Sequence, residues 1–409
     1  MKRLSNTGPA ILVTAAFIGP GTVITASRAG AEYGHALVWA LVFSTFATLV
    51  LQEMAARLGI VSGKGLGENI REGFNNAFAK GLAILLVTSA IVIGNAAYQG
   101  GNISGAVLAI APIIHIPNLF SGKVSVWPII IGLFAFFILW RGKYQAIEMA
   151  LKVLVGLMSI AFIITFIITK PQISSLLTGL IPSIPDGATL TVIALVGTTV
   201  VPYNLFLHAS SAAEKWHDAN LIDDNLNKSR QDLSVSIPLG GLISIAILST
   251  AASAFFVSAT EITDLASLAP SLQPLVGNAA PYIMATGLFA AGISSAITAP
   301  LAAAFALRGV LGLNVPLHHW QFRIIWLVIL LLGIGVSSLQ LRPVSIIWFA
   351  QVANGILLPI VTGYLLWIMN SEKLGDYRNS IKQNIIGLIV LLTTLLLSGR
   401  SLSSAFGLI

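Results

Sequence analysis

Cysteine is absent from the 409 residues of the chain, and charged residues are scarce, at 9% of the total. The lack of cysteine excludes disulfides and thiolate metal sites. A soluble domain of this length needs far more charge on its surface, so the shortage of charge excludes an ordinary water-soluble protein. Apolar residues are abundant instead: 56% of the chain is hydrophobic and the mean hydropathy is +0.90.

Apolar runs of about 20 residues or slightly more recur along the chain, which is the length that spans ~30 Å of hydrocarbon. They predict an all-α membrane protein of about eleven transmembrane helices. The N-terminal run shows no small-residue cleavage pattern and is interpreted as a first spanning helix, not a removed signal. The predicted helices lie near residues 9–30, 36–58, 81–106, 126–140, 145–169, 188–213, 233–258, 279–308, 322–340, 344–369 and 384–407.

Lys and Arg are unequally distributed between the loops on the two sides of these helices. With a cytoplasmic N-terminus, 17 of the 22 basic residues fall on the inner side. This asymmetry follows the positive-inside rule, so we expect a cytoplasmic N-terminus and an extracellular C-terminus, most simply in a bacterial plasma membrane. The net charge of +7 is then explained by inner loops beside anionic membrane lipid, and no nucleic-acid partner is expected.

Two predicted helices are interrupted near mid-membrane. Helix 1 contains Gly19-Pro20-Gly21, and helix 6 contains Pro202 after Val201. Proline removes a backbone donor and glycine tolerates open backbone, so neither segment is expected to continue a regular helix. Matching interruptions in two halves of a chain are typical of inverted-repeat transporters, whose substrate site lies between the breaks. A pair of packing kinks is the alternative interpretation.

The segment 19–34, the stretch Leu51 to Gly59 and the run Pro202 to His208 together resemble the Nramp transporters. The resemblance implies a leucine-transporter fold working by alternating access around helices 1 and 6. It implies inverted repeats of five helices over 1–170 and 171–370, with 371–409 adding an eleventh helix. Nramp proteins typically carry divalent transition metals, often with protons, so H⁺ or Na⁺ is a possible coupling ion.

The chain departs from the Nramp pattern at the residues that hold metal. By this resemblance, Gly19 stands where the family has aspartate, Thr22 where it has asparagine, Val201 where it has methionine and Tyr203 where it has histidine. In helix 3, Asn95 and Tyr98 occupy positions where the family usually has acidic residues that serve proton movement. Among the usual ionisable residues His208 is retained, and it is a candidate proton relay.

No carboxylate is predicted near the membrane midplane, because Glu53 and Glu148, the two acids inside helices, fall near cytoplasmic ends. A dehydrated divalent cation would therefore lack an anionic ligand. The exposed amides after Gly21 and Pro202, together with Arg28 on the same helical face, favour an anion. We expect a small anion, bicarbonate or a short carboxylate, as substrate. The alternatives are that Arg28 snorkels to the interface and that the substrate is hydrated Mg²⁺ or Mn²⁺.

The candidate substrate site combines the two breaks with neutral polar residues on two further helices, 3 and 10. Its predicted members are Gly19, Pro20, Gly21, Thr22, Thr25, Arg28, Asn95, Gln99, Val201, Tyr203, Asn204, Gln351 and Asn354.

Other functional classes have little support in the sequence. A channel would more naturally show a repeated filter segment, and no Ser-His-Asp or paired-carboxylate arrangement suggests an intramembrane enzyme. The adjacent His318 and His319 are interpreted as a solvated loop, with no metal site. No cofactor is expected, and the favoured function is a secondary transporter.

Overall fold

A computed structural model describes residues 18–117, 124–142, 145–216, 221–258, 261–313, 315–316, 318–339 and 341–405. Helices dominate the regular structure of these ranges. In chain order the α-helices are α1 (Pro20–Tyr33), α2 (Val38–Ser62), α3 (Leu66–Gly73), α4 (Ala77–Ile110), α5 (Trp127–Arg141), α6 (Gln145–Thr169), α7 (Ile173–Thr178), α8 (Thr189–Thr199), α9 (Pro202–Lys215), α10 (Ile222–Phe255), α11 (Leu265–Leu268), α12 (Gln273–Val276), α13 (Ala280–Leu311), α14 (Trp320–Ser338), α15 (Pro343–Ile368) and α16 (Ile381–Ala405).

Nine helical stretches in the described ranges are long and apolar enough to cross a membrane. Helices α8 and α9 together form one of them, and α11 to α13 form another. The apolar α5, with 15 residues, is shorter. Helix α1 begins at Pro20, and the part of predicted helix 1 before residue 18 lies outside the described residues. These eleven segments confirm the prediction of an all-α membrane protein with about eleven spanning helices.

The largest boundary error concerns helix 7, which was predicted to begin at 233 but begins at Ile222 as α10. The added turns are polar, and Asp223 and Asp224 occupy the first turn, where carboxylates stabilise the positive end of a helix. Hydropathy marks only the part of a helix that contacts lipid. Hydropathy therefore cannot predict where a helix begins if its first turns are polar and lie outside the membrane.

Proline has two different effects in this fold. Pro238, Pro300 and Pro359 lie inside the continuous helices α10, α13 and α15. Pro20 and Pro202 instead occupy the first turns of α1 and α9, where the missing backbone donor would be unpaired in any case. The two predicted breaks are therefore true helix starts, whereas the other three prolines are accommodated within helices.

Helix α4 packs against α13, α14 and α15, while α1 packs on α10 and α8 packs on α15. Small residues permit these approaches, as is usual between membrane helices. A Cβ atom at Gly30 would lie within contact distance of the Leu248 carbonyl of α10, and one at Gly292 would lie 2.6 Å from the backbone nitrogen of Ala106. The resulting core surrounds the region where α1 and α9 begin.

A buried arginine ties three parts of the chain together at the far end of α2. Arg57 is 3% exposed and donates to the Tyr377 carbonyl (2.6 Å), to Asn379 Oδ1 (2.8 Å) and to Glu53 (3.0 Å). Arg230 of α10 also donates to Glu53, at 3.2 Å. The network joins α2, α10 and the turn that precedes α16, and the Glu53 carboxylate is fully engaged within it.

Candidate functional site

The break in helix 1 is formed by Gly19 in an extended conformation (φ −114°, ψ −173°) immediately before α1. No side chain caps the helix, so its first backbone amides are left without a side-chain acceptor. The proline ring at Pro20 lies against α4, where a Cβ atom at Gly105 would be 2.4 Å from Pro20 Cβ. Glycine at 105 is therefore what allows α4 to approach this break closely.

The break in helix 6 separates α8 from α9. Helix α8 ends at Thr199, and Val200 (φ −97°, ψ 76°) and Val201 (φ −82°, ψ 121°) are non-helical before α9 starts at Pro202. The Val201 carbonyl accepts from the Asn204 amide at 3.0 Å. Both valines are buried, so this non-helical backbone lies within the protein interior. Such backbone cannot be exposed to lipid, because lipid offers no hydrogen-bond partners.

The two breaks are brought together by direct contacts. The hydroxyl oxygens of Thr22 and Thr198 lie 2.9 Å apart and bridge α1 to α8. Gln351 of α15 lies against both helices: a Cβ atom at Gly21 would be 2.3 Å from Gln351 Nε2, and one at Gly197 would meet the Gln351 carbonyl. Three helices therefore converge on Gln351.

Three buried amide side chains on α4 and α15 use their two polar atoms in the same way. The NH₂ group donates to a backbone carbonyl in Asn95 (Ile91, 2.9 Å), Gln99 (Ala296, 2.9 Å) and Gln351 (Ile347, 3.3 Å). In each of them the side-chain oxygen is buried without a partner. Because two carbonyl oxygens would repel each other, these bonds fix which end of each amide is the oxygen. The unused atoms of these amides are hydrogen-bond acceptors.

Asn204 lies on the first turns of α9 and is fully buried, with neither its oxygen nor its nitrogen bonded. Asn354 Nδ2 is likewise buried and unbonded, and its oxygen is 3.4 Å from where a Cβ atom at Gly94 would lie. Thr25, one turn after Thr22 on α1, is also buried with an unbonded hydroxyl. Buried polar atoms without partners are costly, so their concentration beside two helix breaks is characteristic of a binding site.

Two tyrosines line the same region from opposite helices. The rings of Tyr98 on α4 and Tyr203 on α9 lie 5.5 Å apart, and both side chains are buried. Tyr203 follows Pro202 at the break. By the family resemblance, Tyr98 stands where an acidic residue is usual and Tyr203 where histidine is usual. The pair therefore places aromatic rings and hydroxyl groups at these two positions.

His208 lies one turn after Asn204 and is 1% exposed. Its Nδ1 is 2.8 Å from Gln52 Oε1, and since that oxygen only accepts, Nδ1 carries the proton in the pair. The other ring nitrogen, Nε2, is buried and unbonded. In the neutral ring Nε2 is therefore a free acceptor, as a proton-relay group requires.

Most of the predicted site residues lie beside the two helix breaks, but Gln99 and Arg28 do not. The contacts of Gln99 are with α13, through the Ala296 carbonyl, and with α14, where a Cβ atom at Gly333 would be 2.3 Å from Gln99 Cγ. Arg28 is the second exception. Thr198, Gln52 and Tyr98 are not among the predicted site residues. Thr198 flanks the break in helix 6, and Gln52 lies within the stretch Leu51 to Gly59 that resembles the Nramp transporters.

Arg28 lies about 10 Å along α1 from Gly21, given the helical rise of ~1.5 Å per residue. Its guanidinium donates to Glu32 Oε1 at 2.7 Å and stacks over Trp348 at 4.8 Å from the ring centroid. The charge is neutralised by a carboxylate four residues away and held by an aromatic ring. Arg28 therefore supplies no free positive charge to the site.

Substituting Arg28 by alanine is expected to change substrate uptake by less than about fivefold, because a partly exposed ion pair contributes at most ~1 kcal/mol. Glu32→Gln is the matched variant, since it removes the other half of the pair. Initial uptake rates in proteoliposomes measure both. A tenfold loss in Arg28→Ala alone would show that the arginine does act on the substrate.

No group of three or more His, Asp or Glu side chains in the described ranges is arranged to hold a metal ion. Glu53 belongs to the Arg57 network, and the side chain of Glu148 lies outside the described residues. Any ion bound at the breaks would therefore contact the neutral polar groups described above.

A family model described as "Natural resistance-associated macrophage protein-like" matches residues 10–404. The chain belongs to the Nramp family. It is 29% identical to a divalent metal cation transporter MntH of Verminephrobacter eiseniae, over 98% of this chain and 89% of that protein. It is 28% identical to the MntH of Klebsiella pneumoniae, over 97% and 93%.

Two solved structures have the same fold as this chain. The manganese transporter of Eremococcus coleocola superimposes with a TM-score of 0.79 at 21% identity, over 98% of this chain and 86% of that one. The inward-facing conformation of Mhp1 matches with a TM-score of 0.54 at 13% identity, over 97% and 91%. The leucine-transporter fold implied by the family resemblance is thereby confirmed.

The expectation of a small anion or carboxylate as substrate is wrong. The relatives are divalent metal cation transporters by name, and the structure removes the electrostatic argument, because Arg28 is paired with Glu32. The unused amide atoms of Asn95 and Gln351 are also acceptors, which would repel an anion.

Proposed function

We propose that this Nramp protein transports a divalent metal cation, Mg²⁺ or Mn²⁺, which keeps most of its water while it occupies the site between the two helix breaks. Transport proceeds by alternating access, with residues 1–170 and 171–370 as inverted repeats. The N-terminus faces the cytoplasm of a bacterial cell, and the protein acts as a carrier without enzymatic activity.

The observation that carries this proposal is the orientation of the buried amides. Water molecules bound to a cation direct their hydrogens outward, so a hydrated ion presents donors to its surroundings. Asn95 and Gln351 each have a free side-chain oxygen, and the side-chain oxygen of Asn204 is also unbonded. The site is thus complementary to a hydrated cation, although it has no charge of its own.

The absence of a carboxylate at the breaks argues for retained water. Removing the hydration shell of a divalent ion requires strong anionic ligands in its place. Mg²⁺ dehydrates reluctantly and usually keeps several waters, so it fits a neutral site well. Val201 stands at the position where the family has methionine, and it offers no soft ligand for a transition metal.

Uptake into proteoliposomes tests the proposal, with a Mg²⁺-sensitive dye or a Mn²⁺-quenched dye enclosed. We expect saturable uptake of at least one of these ions, slow on the scale of a channel. A cobalt(III) hexaammine complex, which has the size of a hydrated ion but cannot lose its ligands, should compete. If neither cation enters above the level of empty liposomes, the proposal is wrong.

We also propose that His208 moves protons during the transport cycle. His208→Gln is expected to abolish proton movement coupled to cation uptake while downhill uptake persists. Glutamine can still donate to Gln52 Oε1 but does not titrate. An enclosed pH dye measures proton entry, and His115→Gln, at an exposed histidine, is the control. Proton entry unchanged in His208→Gln would exclude this role.

A further inference from the structure

Aromatic and basic side chains form one surface where α5 ends and α14 begins. The guanidinium of Arg323 lies 4.1 Å from the ring centroid of Trp140. Trp140 in turn stacks on Phe136 at 5.5 Å, and Phe136 packs against the buried Trp326 at 5.8 Å. Arg323 is therefore positioned by an aromatic stack anchored in the protein.

Arg323 and the adjacent Arg141 carry uncompensated charge. No ion pair in the described ranges includes either of them, whereas Arg28 and Arg57 are each paired with a carboxylate four residues away. Arg141 is exposed at the last turn of α5. The positive end of the α14 dipole adds to the same region. An anion at this surface would not compete with any described carboxylate, because none lies within ion-pair distance of either guanidinium.

The neighbouring side chains along α5 and α14 are apolar and exposed. Phe137 is 61% exposed, Ile324 47% and Leu331 56%, which identifies this flank as lipid-facing in a membrane protein. Trp320, at the start of α14, is 61% exposed, and tryptophan is enriched at the membrane–water boundary. The two guanidinium groups thus lie at the level of lipid headgroups, directly above a surface for acyl chains.

We propose that this surface, comprising Trp140, Arg141, Trp320 and Arg323, binds the headgroup of an anionic glycerophospholipid. The phosphodiester contacts Arg323, whose planar guanidinium suits two parallel bonds to phosphate oxygens, and Arg141 adds a second charge. The acyl chains lie along Phe137 and Ile324. This site is separate from the substrate site, and its existence does not depend on the transported ion.

Native mass spectrometry of the full chain, titrated with phosphatidylglycerol and with phosphatidylcholine, tests the inference. Wild type should prefer phosphatidylglycerol, and Arg323→Ala should lower that preference about fivefold, the effect expected for one basic residue near the membrane surface. Trp140→Leu, which keeps the charge but removes the stack, should weaken binding less.

The matched control is Arg378→Ala. Arg378 is exposed at the same end of the helix bundle, next to the Arg57 contact at Tyr377. Among the described residues, no cation–π contact includes Arg378. An equal loss in Arg378→Ala, or an unchanged preference in Arg323→Ala, would overturn the proposal. Displacement of the lipid by millimolar inorganic phosphate would do so as well, because it would identify a site for the free ion. Melting temperatures of all variants should match wild type.

Discussion

Gly21→Val is expected to reduce cation uptake to the level of empty liposomes while the protein still folds. A Cβ atom at this position would lie 2.3 Å from Gln351 Nε2 and 2.6 Å from its Cδ. These atoms are the far end of a flexible side chain, so they can move aside without unfolding the helices. The Gln351 amide is thereby displaced from the site, and the methyl groups of the new valine occupy the break.

The measurement is initial uptake at saturating cation, together with size-exclusion profile and melting temperature. Gly156→Val is the control, because a Cβ atom at Gly156 in α6 meets nothing within 4 Å. It introduces the same side chain in a membrane helix and should leave uptake unchanged. Wild-type uptake by a folded Gly21→Val protein would show that the substrate does not pass between Gly21 and Gln351.

Gln351→Glu is expected to lower the KM for Mn²⁺ roughly tenfold and to slow maximal turnover. A carboxylate ~8 Å from a divalent ion attracts it by ~2 kcal/mol at an effective dielectric near 40, and burial of the charge offsets part of this. A tenfold change corresponds to ~1.4 kcal/mol. Tighter binding slows release, so turnover falls. The gain should disappear at low pH, where the carboxylate is protonated.

Uptake as a function of Mn²⁺ concentration at several pH values measures this effect. Gln273→Glu adds the same charge at an exposed position in α12 and should change neither constant. If the KM in Gln351→Glu stays at the wild-type value at every pH, Gln351 does not face the ion. The proposed neutral, hydrated site would then lose its central residue.

The spanning helices could be predicted from the sequence because lipid imposes a simple criterion of length and hydropathy. The same criterion missed the polar first turns of α10, because these turns lie outside the membrane and hydropathy does not mark them. The breaks could be predicted at Pro20 and Pro202, but proline alone was not sufficient, since Pro238 and Pro359 remain within helices. The two true breaks were recognised by their matching positions in the two predicted halves of the chain.

Most of the residues that lie beside the two breaks could be predicted from the sequence, but their hydrogen bonds could not. The pairing of Arg28 with Glu32 follows a four-residue spacing that the sequence does contain, and considering it would have weakened the argument for an anion. The orientation of Gln99 depends on the Ala296 carbonyl, 197 positions away, and no local pattern indicates such a contact.

The buried Arg57 gives the segment after α15 a role in the maturation of the whole protein. Two of its acceptors, the Tyr377 carbonyl and Asn379 Oδ1, emerge only after helices α1 to α15 have been synthesised. Until then part of this guanidinium has no partner, and a buried charge that lacks partners costs several kcal/mol. A chain that ends after Ile368 would thus leave Arg57 without two of its acceptors. Quality-control proteases could recognise the incompletely packed cytoplasmic end of such a chain.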